Sequence, residues 1–147
     1  MEPRVVYADT SFLLSHYIND DHTDLARYLA WEIPTQLRIS KLGILEYQTS
    51  LWRKVGIDGF TRAHAERAIR LFERQIAESW FVVATTADGI VYDRANSLAA
   101  AHSSELKVRS LDILHVAFAL EMGVTEFWTF DDRQKRLAAA VGLRVND

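Results

Sequence analysis

Five short runs rich in β-branched and aromatic residues, set apart by helix-patterned stretches, constrain this chain more than any other feature. They are "RVVYA" (Arg4–Ala8), "LRIS" (Leu37–Ser40), "WFVVATT" (Trp80–Thr86), "EFWTF" (Glu126–Phe130) and "LRV" (Leu143–Val145). Strands that recur after helical connections of ten or more residues pair in parallel, and helices then cover both faces of the sheet. The fold expected is α/β, a three-layer α/β/α sandwich around a central, mainly parallel sheet of four or five strands. Helices are expected over Ser11–Tyr17, then from a cap at Asp21 or Thr23 to Glu32, and from Lys41 to Val55 behind Ser40. Thr61 caps a long helix to Ser79, in which Ala65, Ile69, Phe72 and Ile76 form an apolar stripe. Asp88 opens an alanine-rich helix to Ser104, Ser110 caps Leu111–Met122, and Asp131–Val141 ends at Gly142.

Composition narrows the class. A chain of 147 residues, 49% hydrophobic, suits one domain over 1–147 with a core that needs no staples. The absence of cysteine excludes disulfides and thiolate metal sites. The formal net charge of −3 argues against binding nucleic acid through overall basicity, although a carboxylate site lowers that charge by itself. No apolar run approaches the roughly 20 residues of a membrane span, and the opening Met-Glu-Pro-Arg is too polar for a signal peptide. A cytoplasmic protein with no membrane partner is expected.

In a parallel sheet, sites form beyond the carboxyl ends of the strands. Asp9 and Asp131 stand at two such ends. Asp112 follows a helix start, and Glu46 lies mid-helix in "KLGILEYQTSLW". Asp9, Asp112 and Asp131 each have an ordinary explanation, because carboxylates near helix N-termini are favourable by about 0.3–1 kcal/mol. Glu46 has no such explanation, although some mid-helix glutamates are simply solvated. If it faces the sheet end it needs a cation, because a buried unpaired carboxylate is very costly. Four converging carboxylates suit a hard divalent ion with oxygen ligands, which can align a water for attack on a phosphodiester.

These residues resemble the PIN-domain ribonucleases, and among them the VapC-type toxins of toxin–antitoxin pairs. "YADTSFLL" is similar to the family's opening strand with its first acid, Asp9, and a nearby hydroxyl, Ser11. "ILEYQTSLWRK" resembles the segment with the second acid, Glu46, and "SLDILHVAFALEMG" the helix with the third, Asp112. "FWTFDDRQKRLAAAVGLRV" resembles the closing strand and helix, with Thr129 and Asp131 as its Thr-x-Asp. The resemblance implies a PIN-like sandwich and a metal-dependent endoribonuclease, the toxin of a type II toxin–antitoxin system. It implies that Asp9, Glu46, Asp112 and Asp131 hold Mg²⁺ (or Mn²⁺) and are the catalytic set, with Ser11 and Thr129 orienting them. It further implies an RNA substrate, a cognate antitoxin and a homodimer. A family trait departs at Ile113, where alanine is common; a change in helix packing is expected there.

Other residues carry two readings. Arg67, Arg70 and Arg74 either meet RNA phosphates or form a solvated face paired with Glu66, Glu73 and Glu78. His115, three residues after Asp112, either touches substrate or is a satisfied buried histidine. Trp80 and Trp128 are expected in the core, Trp31 and Trp52 on a contact surface, and Asp132 in solvent. A phosphatase with an aspartate nucleophile needs a second Asp where Ser11 stands, and a receiver domain needs an acceptor Asp that "LRIS" and "FVVATT" lack. The alternative that keeps the fold is a catalytically silent PIN-like module that binds RNA or protein.

Overall fold

The computed structural model describes residues 3–33 and 35–146. In chain order the elements are β1 (Val6–Ala8), α1 (Thr10–Tyr17), α2 (Thr23–Glu32), β2 (Leu37–Ile39), α3 (Lys41–Lys54) and α4 (Arg62–Ala77). They continue with β3 (Phe81–Val83), α5 (Asp88–Leu106), α6 (Ser110–Glu121), β4 (Glu126–Trp128), α7 (Asp132–Ala140) and β5 (Arg144–Val145). All strand pairs are parallel, in the order β3-β2-β1-β4-β5. The expected α/β sandwich is present, with a wholly parallel sheet of five strands.

The period-2 alternation of the strands divides the interior in two. Val6, Ala8 and Trp128 face one side, where Phe12, Leu13, Tyr47, Leu51, Ala65 and Phe72 of α1, α3 and α4 cover them. Tyr7 and Phe127 face the other, beneath Val91, Leu98, Val116 and Leu137 of α5, α6 and α7. Ile113 is buried within this second layer.

Local chemistry explains three helix ends. The Ser40 hydroxyl accepts from Gly43 N–H at 3.2 Å and starts α3. Thr61 and His64 exchange two hydrogen bonds that start α4. At the end of α7, Gly142 takes φ +90°, and the amides of Gly142 and Leu143 bond back to Ala139 and Ala138, a Schellman ending.

Three expectations are corrected. The third strand is only Phe81–Val83, and Trp80 is 55% exposed rather than core. The left-handed turn at Ser79 (φ +65°) precedes it, and pairing with β2 begins only at Phe81. Ser110 is the first residue of α6 and not its cap, which is Arg109. Neither Asp21 nor Thr23 caps α2, because the Thr23 hydroxyl bonds back to Ile18 C=O at 2.7 Å and helps to close the preceding turn.

The strand order locates a crevice. The chain moves outward from β1 through β2 to β3, then returns to lay β4 on the other side of β1. In open parallel sheets such a reversal leaves a crevice beyond the strands' carboxyl ends, where ligands bind. Here Asp9 after β1 and Thr129–Asp131 after β4 stand at that reversal.

Candidate functional site at the strand-order reversal

Asp9 is 2% exposed, and its backbone N–H bonds to Trp128 C=O of the adjacent strand. Both carboxylate oxygens are occupied. Oδ1 accepts from the Ser11 hydroxyl at 2.7 Å and from Phe12 N–H at 3.1 Å, and Oδ2 accepts from the Thr129 hydroxyl at 2.5 Å. Those hydroxyls are themselves held from behind, Ser11 by Phe130 N–H at 2.9 Å and Thr129 by Asp131 N–H at 3.0 Å. Thr129 N–H in turn donates to the buried side chain of Asn146, just past β5. Asp9 caps α1, yet five of the residues around it, Trp128, Thr129, Phe130, Asp131 and Asn146, come from the far end of the chain. Burial pushes its carboxyl above the ordinary carboxylate value, opposed by the charge of His115 and by the hydroxyl and amide donors.

Glu46 stands midway along α3 with its side chain 25% exposed. Its Oε1 accepts from the Thr10 hydroxyl at 2.8 Å and is paired with His115 Nε2. Burial opposes its ionisation, but the hydrogen bond and charge of His115, with Thr10, hold the carboxyl below its ordinary value. His115 is 2% exposed, with Nδ1 2.8 Å from the Tyr7 hydroxyl. The imidazole is thus enclosed and turned towards Glu46, and offers no open face to a substrate.

Asp112 and Asp131 lie nearer the surface. Asp112 is half-buried and accepts from Arg109 N–H at 3.0 Å, across the first turn of α6. Asp131 is exposed and caps α7 by accepting from Arg133 and Gln134 N–H at 2.9 and 3.1 Å. Both therefore carry the helix-end role that their positions allowed. Asp132, beside Asp131, is exposed.

The structure thus groups Asp9, Ser11 and Thr129 with the peptide of Asp131, and Glu46 with Thr10 and His115. The neighbours Asp9 and Thr10 join the two groups. Among the described residues, no three Asp, Glu or His side chains are gathered closely enough to enclose a metal ion. Arg70 and Arg74 lie beside Glu66 and Glu78 on the exposed face of α4. Arg67 instead lines a cavity of about 510 Å³ with Arg27, Lys54, Phe60 and His64, which none of the four carboxylates borders. Sequence reasoning missed Tyr7, Thr10, Ser40 and Asn146. Thr10 had a signal in its place between Asp9 and Ser11; the other three are joined to the site only through long-range pairing. Among the described residues, no helix is long and apolar enough to cross a membrane.

The whole architecture recurs in solved structures. VapC20 of Mycobacterium tuberculosis, described as a Sarcin-Ricin loop cleaving toxin, superposes with a TM-score of 0.71 at 22% identity, over 97% of this chain and 99% of that one. PAE2754 of Pyrobaculum aerophilum gives 0.63 at 20% identity over 97% and 89%. FitAB bound to an IR36 DNA fragment gives 0.68 at 15% identity over 97% and 94%. No curated protein matches the sequence. The PIN domain family matches residues 6–140, nearly the whole chain. The chain belongs to the PIN domain family.

Proposed function

We propose that this protein is a metal-dependent endoribonuclease that hydrolyses RNA phosphodiester bonds, the toxin of a type II toxin–antitoxin pair. The observation that carries the reading is Asp9: a buried carboxylate at the strand-order reversal, fixed through both oxygens by hydroxyls that other elements hold in turn. A helix cap alone needs one such bond. The likeness of fold to VapC20 supports the same reading.

The donor set fits a hard divalent cation in kind, since all four candidate ligands are carboxylates. It does not form a closed cage, which suits Mg²⁺ (or Mn²⁺), an ion that keeps several waters and takes few protein ligands. Asp9, Glu46, Asp112 and Asp131 would hold it. The cation, when bound, supplies positive charge at the phosphate. The chain's own residues orient that site: Ser11 and Thr129 keep Asp9 from rotating, and Thr10 restrains Glu46. RNA is the substrate in this reading and a cognate antitoxin the regulator, in a cytoplasmic homodimer. Trp31, 86% exposed, and Tyr28 provide an apolar surface on α2 for a protein contact.

The test is incubation of the purified protein with total RNA in Mg²⁺, Mn²⁺ or EDTA, with new 5′ ends mapped beside Asp9→Asn. Discrete ends that require metal and vanish in the variant are expected. Metal binding without new ends from any RNA would favour the silent binding module instead.

A further inference from the structure

A second chain of hydrogen bonds runs to the site from the opposite side. It begins at Gly43 N–H, which donates to the Ser40 hydroxyl at 3.2 Å. Ser40 Oγ lies 2.7 Å from the Tyr7 hydroxyl, and Tyr7 lies 2.8 Å from His115 Nδ1. His115 Nε2 then meets Glu46 Oε1. Ser40 and Tyr7 are fully buried. The direction of the protons follows from counting them. The Gly43 amide already uses one lone pair of Ser40, whose own proton has, among the described residues, only the Tyr7 oxygen to go to. The Tyr7 proton must then go to His115 Nδ1, which leaves the ring proton on Nε2, facing the carboxylate. In the neutral ring the reverse order would strand the Ser40 proton, which has no other acceptor among the described residues.

We infer that His115 is a positioning residue for Glu46, held by Tyr7 and Ser40 as the tautomer with its proton on Nε2. The consequence lies at the carboxylate. Thr10 and His115 both act on Oε1, and among the described residues Oε2 has no hydrogen-bond partner. One oxygen is anchored and the other is offered to a ligand, with the side chain still partly open to solvent. This role rests on the reading of Glu46 as a cation ligand.

Long-range ¹H–¹⁵N spectra of the metal-free protein, with the His115 signals assigned by their loss in His115→Gln, test the chain directly. A bare Nδ1 and a protonated Nε2 are expected; a protonated Nδ1, or averaged nitrogens, would overturn the inference. Tyr7→Phe removes only the hydroxyl. It should mix the two tautomers and weaken Mn²⁺ binding, measured by calorimetry, by about tenfold; an unchanged spectrum and affinity would overturn it. Because Tyr7 is buried, the same comparison is repeated through His115→Gln, whose amide can still donate to Glu46. His115→Gln should bind Mn²⁺ better than His115→Leu, and equal affinities count against the inference. Mn²⁺ binding by wild type with mixed tautomers overturns the inference and leaves the metal reading standing. The expected tautomer without any Mn²⁺ binding supports the chain's direction and overturns the metal reading.

Discussion

Asp9, besides capping α1, is held by the Thr129 hydroxyl from beyond β4, and Glu46 by a hydroxyl and an imidazole from other elements, whereas Asp112 and Asp131 are held by amides of the helix ends they sit on. A carboxylate of the second kind is explained by the local backbone, since a cap is worth about 1 kcal/mol whatever else it does. The first kind is not explained in that way. Ser11, Thr129, Tyr7 and His115 are spent on fixing two side chains, and burial works against the charge of both. The difference teaches where selection for chemistry is easiest to see: in carboxylates whose supports come from far along the chain.

The largest break in this comparison should come from Asp9→Asn. Ribonuclease activity is expected to fall by at least about a hundredfold, since loss of a mere supporting group at a metal site costs about 10–100-fold. Asp9 is raised above the ordinary carboxylate range in the fold, so its contribution to stability is present at low pH and is lost as pH rises through that elevated value. Glu46 has the opposite sign. Its contribution is present above the ordinary range and is lost as pH falls through its lowered value. Acid titrations of stability for wild type, Asp9→Asn and Glu46→Gln should therefore separate into slopes of opposite direction.

Next in size is Thr129→Val, which keeps the shape but removes the hydroxyl between Asp131 N–H and Asp9. A loss of about 10–100-fold in cleavage is expected, with Thr129→Ser close to wild type. Asp131 sharpens the contrast further. Asp131→Ala should lower stability by about 1 kcal/mol through loss of the α7 cap, while Asp131→Ser should restore most of it. If the carboxylate itself serves the site, both variants lose cleavage equally; recovery of cleavage in the serine variant would leave Asp131 as a cap alone. The smallest effect belongs to the exposed pair Arg70–Glu66, where Arg70→Ala should change stability by no more than about 0.5 kcal/mol and leave cleavage unchanged.

The fold was legible because its signals are local. Alternating apolar runs, Ser40 and Thr61 before helices and Gly142 after one are all read within a few residues of where they act. The edges were less legible. "WFVVATT" has the composition of a seven-residue strand, but β3 extends only as far as β2 pairs with it, so Trp80 is left outside. The same limit applies to the site. Asp9 and Asp131 announced themselves as acids at strand ends. That Glu46 pairs with a histidine 69 positions away, or that Tyr7 reaches Ser40 33 positions away, depends on strand register and helix placement that no short pattern carries.

The Asn146 side chain that receives Thr129 N–H lies just beyond a two-residue edge strand, the shortest in the sheet. Such an edge is among the first parts of a fold to open, at a cost well below that of global unfolding. When β5 frays, Thr129 N–H loses its acceptor, while the Thr129 hydroxyl is still held between Asp131 N–H and Asp9. Amide exchange at Thr129 should therefore follow the fraying of β5 more closely than the exchange of the central strand β1.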